Sequence, residues 1–306
     1  MKRDCHELTA GQWNRKRFLS VGLDPDIEKM PDICREHLPI GEILRRFCIE
    51  IIKTTAEFAG AYKANLGFFL KHGSEGLTAL KEVIAFTREN FPDKVIILDG
   101  KFNDIANSGQ NYAAFAFREM GADAATVNPY LGGDSLEPFT SYEDKVTIPL
   151  CRTSNPGGAD LQALEVTLTA ERFDEIALGR PADEEHFALP KTMPLYQYVA
   201  WRAASRQLWN NHGNCGLVVG ATYPEELCVV RWIAPNQTIL IPAIGKQGGD
   251  LAKSVLYGRG RMWINVGSSI LFASNGKDFA EAGGAVARQY NVDIVQYHNA
   301  AIAANT

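Results

Sequence analysis

The sequence has no C-x-x-C pair. Its six cysteines, Cys5, Cys34, Cys48, Cys151, Cys215 and Cys228, are scattered along 306 residues. That spread argues against a disulfide framework or a thiolate metal site, and for isolated thiols in a reducing compartment. No apolar run is long enough to span a bilayer, and the opening MKRDCHELTAGQW lacks the apolar centre of a secretion signal. A cytoplasmic protein with no membrane partner is the expectation. There is no stripe of one charge sign. The formal net charge is -5 with acids and bases interspersed, which argues against a nucleic-acid partner. A small anionic ligand remains compatible, because local loops can hold it whatever the net charge. Neither G-x-G-x-x-G after the first strand nor G-x-x-x-x-G-K-[ST] occurs. Internal repeats and low-complexity tracts are absent too.

What is present is alternation. The chain is 46% hydrophobic, enough for a large core. Eight short apolar runs read as strands: 18–24, 60–66, 94–101, 124–128, 146–153, 216–222, 238–245 and 262–268. Helix-like stretches such as EILRRFCIEIIKTTAEF, SEGLTALKEVIAFTREN and PEELCVVRWIA lie between most of them. Eight β-then-α units predict a parallel sheet closed into a single-domain (β/α)₈ TIM barrel over 1–306, with a doubly wound open sheet as the alternative. Residues 160–194 break the rhythm. They are long and acidic, and read as a loop excursion rather than a second domain.

In such a barrel, chemistry sits at the C-terminal strand ends. The third run, KVIILDGKFNDI, passes from Val and Ile straight into Asp99, Lys101 and Asp104. Residues two apart on a strand share a face, so Asp99 and Lys101 point the same way, and charges there are costly unless they pair. Taken alone, D-x-K-x-x-D also reads as a salt bridge fixing a strand–helix turn. The other strand ends add Asp24, Lys63 and Ser154 in RTSNPGG. The last two runs end in the Gly-rich turns GKQGGD and NVGSS, which hold Lys246, Gln247, Gly267 and Ser268. Backbone N–H groups at Gly-rich turns opening helices bind phosphate. One side of the mouth can therefore hold phosphate, while the other carries two lysines and up to three carboxylates.

With these blocks in this order, the sequence resembles the orotidine 5'-phosphate decarboxylase family in its longer-chain bacterial form. VGLDPD, KANLGFFLKHGSEGL, ILDGKFNDIANS, VNPYLGGDSLEPF, RTSNPGGADLQ, GLVVGATYPEEL and PAIGKQGGDL carry the resemblance, from about residue 18 to about residue 275. It implies a homodimeric barrel, working without metal or organic cofactor, that converts orotidine monophosphate to uridine monophosphate and carbon dioxide in pyrimidine synthesis. By motif position the charge network is Lys63, Asp99, Lys101 and Asp104, with Asp104 supplied across the dimer interface. Asp24 should contact the ribose, Ser154 the pyrimidine, and Ser108 the ribose from the partner chain. Gln247 should close over the phosphate. Loss of carbon dioxide leaves a carbanion in the ring plane, which Lys101 can stabilise and protonate.

The sequence departs from the family at one telling position. The family carries a phosphate-gripping arginine at the end of the eighth strand, where this chain has Ser268. Hydrogen bonds to charged groups contribute about 1.5–3 kcal/mol each, so its loss should weaken substrate binding. Lys246, where the family often has alanine, can substitute as a point charge; it also reads as an exposed loop lysine. Phe102 and Asn103 replace the family's arginine and glycine inside the motif. Two alternatives follow: a nucleotide-binding homologue with weakened activity, and a metal-dependent sugar-phosphate decarboxylase or aldolase on the same scaffold.

Overall fold

In the computed structural model, the described residues are 3–303 apart from 36, 179–189 and 246–247. Eight of its strands form a closed barrel: β1 Leu19–Leu23, β2 Ala59–Asn65, β3 Val95–Phe102, β4 Ala124–Val127, β5 Val146–Arg152, β8 Leu217–Val219, β9 Ile239–Ile241 and β10 Met262–Val266. Strands β6 Glu165–Thr167 and β7 Thr192–Pro194 make a separate antiparallel pair within the excursion. All barrel neighbours are parallel, and β1 closes on β10. Each expected strand is a barrel strand. The runs at 216–222 and 238–245 shorten to three residues each, because their ends leave the sheet for the loops at the mouth.

Strand parity explains both the core and the mouth. Inward positions on β3 run Val95, Ile97, Asp99, and on β2 Ala61, Lys63, Asn65. The lower inward residues, including Ala61, Val95, Ile97, Ala124, Ile148, Val218, Leu240 and Trp263, pack into one buried cluster inside the barrel. Outward residues pack against the helices in a second, larger cluster. Helix Ile40–Thr55 shows why that layer forms: Ile43, Leu44, Phe47, Cys48, Ile51 and Ile52 recur at helical spacing and are all buried. Helix Cys5–Asn14 was not expected from the sequence. Asp4 caps it, accepting from the His6 and Glu7 N–H groups at 2.8 and 3.2 Å. Its Cys5, Leu8 and Trp13 join the interior cluster, so this helix plugs the N-terminal end of the barrel.

The excursion starts with helix Ala159–Gln162, passes through β6 and helix Ala170–Leu178, and returns by β7. Its central residues 179–189 lie outside the described residues. No helix among the described residues is long and apolar enough to cross a membrane.

Candidate active site

The mouth of the barrel holds a cavity of about 700 Å³, lined by Asp24, Lys63, Asp99, Lys101, Ser154, Gly267 and Ser268 among others. Seven of the sequence-selected residues therefore share one cavity. Asp99 is its electrostatic centre. Lys63 Nζ donates to Asp99 Oδ2 at 2.8 Å, and Lys101 Nζ donates to Oδ1 at 2.7 Å. Thr126 Oγ1 donates to the same Oδ1 at 2.8 Å. The Lys63 and Asp99 side chains are only 5% and 8% exposed, whereas Lys101 is 50% exposed. One end of the network is thus buried and fixed, while the other opens onto the cavity.

Burial pushes the Asp99 carboxyl upward. The attraction of Lys63 and then Lys101, with their hydrogen bonds, outweighs that and holds it below the usual carboxylate range. For Lys63, burial favours the neutral amine, but the Asp24 and Asp99 carboxylates outweigh it and hold the ammonium above the usual lysine range. Asp24 Oδ1 lies 3.7 Å from Lys63 Nζ and is buried without a hydrogen-bond partner among the described residues. The Asp24 side chain is 28% exposed in the cavity wall, so its other oxygen is open to a ligand hydroxyl.

Lys101 does not sit on a regular strand, contrary to the expectation from spacing. Pairing between β3 and β4 shifts between Leu98 and Phe102, and Lys101 has φ of 46°. A non-glycine residue held there carries about 1–3 kcal/mol of strain. The ion pair with Asp99 and a hydrogen bond from the Lys101 N–H to Thr126 Oγ1 at 3.0 Å hold it. Phe102 then turns outward into an aromatic cluster with Tyr112, Phe115 and Phe139.

Asp104 and Ser108 do not line this cavity. Asp104 is half-buried, accepting from the Ile105 N–H at 2.8 Å, and Ser108 is exposed on helix Ala106–Ala114. Beside them Ile105, Tyr112, Tyr130 and Leu131 are large exposed apolar side chains. Lys246 and Gln247 lie outside the described residues, so the structure does not address either assignment. C-terminal to them, the Gly249 N–H donates to Ala243 O at 3.1 Å, and Asp250 caps helix Leu251–Gly258 by accepting from the Lys253 N–H at 2.9 Å.

Sequence reasoning missed Thr126, Asn265 and Gln162. Thr126 ties β4 to the charge network. Asn265, buried on β10, accepts from Ser20 Oγ at 3.1 Å and lines the cavity. Gln162, from the excursion, accepts from the Thr153 N–H at 2.9 Å and so braces the loop that carries Ser154. Thr126 and Asn265 occupy inward positions at strand ends, a signal available from parity. Among the described residues no group of three or more His, Cys, Asp or Glu side chains could hold a metal ion.

Comparisons with known proteins identify the family. A model of the orotidine 5'-phosphate decarboxylase / HUMPS family matches residues 17–282. The orotidine 5'-phosphate decarboxylase of Cellvibrio japonicus is 41% identical over 286 residues, covering 92% of this chain and 94% of that one. The protein of the same name from Cupriavidus necator is 39% identical over 298 residues, covering 96% and 98%. Among solved structures, OMP decarboxylase from Leishmania donovani superimposes with a TM-score of 0.72 at 33% identity, covering 95% of this chain and 99% of that one. The chain belongs to the orotidine 5'-phosphate decarboxylase / HUMPS family.

Proposed function

We propose that this chain is a lyase that decarboxylates orotidine 5'-monophosphate to uridine 5'-monophosphate, the last step of pyrimidine nucleotide synthesis, in the cytoplasm and without a cofactor. The observation that carries the reading is the Lys63–Asp99–Lys101 network, buried at one end and open to the cavity at the other. The bond from ring carbon C6 to the carboxylate breaks, carbon dioxide leaves, and the electron pair stays on C6 in the ring plane. The Lys101 ammonium stabilises that charge and transfers a proton to C6; the neutral amine then regains a proton from water. Asp99, fixed by three donors, holds Lys101 in place and lies near the departing carboxylate. Asp24 accepts from a ribose hydroxyl, and Ser154 contacts the pyrimidine.

Asp104 and Ser108 complete the site from a second copy of the chain. Their position outside their own cavity, beside exposed Ile105, Tyr112, Tyr130 and Leu131, supports a homodimer across this face. Gln247, Gly267 and Ser268 take the phosphate. The lining cations Lys29, Lys63 and Lys101 each already face a carboxylate, which supports Lys246 as the cation for phosphate in place of the family's arginine.

The test is the ultraviolet assay for loss of orotidine 5'-monophosphate, with wild type and Lys101→Ala run in parallel and each repeated with EDTA. Turnover by wild type, untouched by EDTA and abolished in Lys101→Ala, is the expected result. Inhibition by EDTA points instead to a metal-dependent relative of the same scaffold. Binding of uridine 5'-monophosphate without turnover points to a nucleotide-binding homologue.

A further inference from the structure

A second cavity, about 1010 Å³, lies not at the mouth but at the opposite end of the barrel. The helix Cys5–Asn14, the N-terminal strand ends and the final helix Phe279–Ala303 all contribute to its wall. Its lining includes Arg206, Arg259 and Arg261 but no aspartate or glutamate. None of the three guanidinium groups has an ion pair or side-chain hydrogen bond among the described residues. Arg206 lies folded over Gly213, within 2.4 Å of where a Cβ would stand there. Behind the wall, Arg231 is 1% exposed and donates only to the carbonyls of Ala234, Pro235, Gln237 and Arg261. Burial, then repulsion from Arg261 and Arg259, pushes its guanidinium below the usual arginine range. These are like charges gathered without a counterion.

The wall behind these cations is strained and polar. Asn214 is 1% exposed; its Nδ2 donates to the Thr140 and Tyr142 carbonyls, which fixes the amide and leaves Oδ1 unpaired. Gln237 Oε1, on a side chain in a residue 8% exposed, and the Trp13 indole N–H are likewise buried without partners. All three residues line the cavity. Three exposed guanidinium groups at the rim, with the half-buried rings of Trp13 and His298 in the wall, suit a phosphorylated compound that carries a ring.

We propose that this cavity is a second ligand site that binds an organic phosphate of nucleotide size, remote from the cavity at the mouth. Titration calorimetry tests it, with ATP and with pyrophosphate as probes, on wild type, Arg206→Ala, Arg261→Ala and Ser268→Ala. The expected result is saturable ATP binding, weakened about tenfold or more in Arg206→Ala and Arg261→Ala and unchanged in Ser268→Ala. Pyrophosphate should bind more weakly than ATP, because it has no ring to lay against Trp13 and His298. Arg261→Lys, which keeps the charge, should recover part of the affinity and guards against a folding defect. Equal affinity in wild type and both arginine variants, or loss in Ser268→Ala alone, would overturn the proposal and return the anion to the mouth. Pyrophosphate binding as tightly as ATP would overturn the nucleotide-sized ligand.

Discussion

Replacing Asp99 with asparagine separates the buried and exposed halves of the charge network. In the native site its carboxylate receives Lys63 at 2.8 Å on one oxygen and Lys101 at 2.7 Å, with Thr126 at 2.8 Å, on the other. Asparagine keeps one accepting oxygen and turns the other position into a donor, which then faces an ammonium. Lys63, 5% exposed, is left with Asp24 at 3.7 Å as its remaining acidic neighbour. Removing one member of a buried ion pair costs about 3–5 kcal/mol, because the other charge stays in the interior. Asp24 still offsets part of this, so the lower end applies, about 3 kcal/mol. Lys101 adds little, since a half-exposed pair contributes about 0–1 kcal/mol.

At about 2.1 cal/mol/K of unfolding entropy per residue, a chain of 306 residues shifts its melting temperature by about 1.6 °C per kcal/mol, so Asp99→Asn should melt about 5 °C lower. The companion variant, Lys63→Met with Asp99→Leu, removes both buried charges and should recover most of that loss, because apolar replacement of a buried pair is near neutral. Neither variant should consume orotidine 5'-monophosphate. Thermal unfolding by circular dichroism beside the ultraviolet assay measures both quantities. If Asp99→Asn melts within about 2 °C of wild type, or the double variant melts no higher than the single one, the argument for a coupled buried pair fails.

Four further outcomes follow from the same geometry. Lys101→Gly and Lys101→Ala should both abolish turnover, yet the glycine variant should be the more stable by about 1 kcal/mol, since φ of 46° suits glycine; equal unfolding midpoints would refute the backbone assignment. Mixing Lys101→Ala with Asp104→Ala chains should restore about a quarter of wild-type activity at equal ratio, because half the dimers are mixed and each then has one intact site. Activity no higher than that of the separate variants would refute a shared site. Gly220→Ala puts a methyl 2.8 Å from the Ser154 N and Cβ atoms, so KM should rise and stability fall by about 1–3 kcal/mol; unchanged KM would show that the loop yields freely. Ser268→Arg should raise kcat/KM more in a Lys246→Ala background than in wild type, and additive effects would mean that the two positions do not serve one phosphate.

Much of the site was legible because the barrel converts residue parity into height and direction. On β3 the inward series Val95, Ile97, Asp99 changes from apolar to charged where the strand reaches the mouth. A buried strand has no reason to end that way unless its charges pair. Thr126 and Asn265 obey the same parity but were missed, since a short polar residue near a strand end also reads as a turn former. Helix Cys5–Asn14 was illegible for a different reason. It has no apolar stripe of its own, and its Cys5, Leu8 and Trp13 become core only once a barrel end is there to receive them. The left-handed backbone at Lys101 was equally hidden. Lysine carries no local signal for positive φ, and the strain is held by Asp99 and Thr126, partners fixed only in the folded barrel.

The serine at position 268 gains meaning from the charge count of the mouth. Asp24 and Asp99 balance Lys63 and Lys101, and Lys29 is paired with Asp26 at 2.7 Å. A phosphate dianion entering this cavity would therefore find each of those cations already facing a carboxylate. Drawing Lys63 or Lys101 toward phosphate would weaken the hold on Asp99, so its charge has to be met elsewhere. Backbone N–H groups of the two glycine-rich turns supply partial charge. A full positive charge requires a residue outside the network, and between Gly245 and Gly248 the sequence has a lysine where the family often has alanine. On the proposed assignment, an arginine at one strand end and a lysine in the neighbouring segment would be alternative solutions to one electrostatic problem, differing in that the guanidinium grips through a rigid fork and the ammonium acts as a point charge.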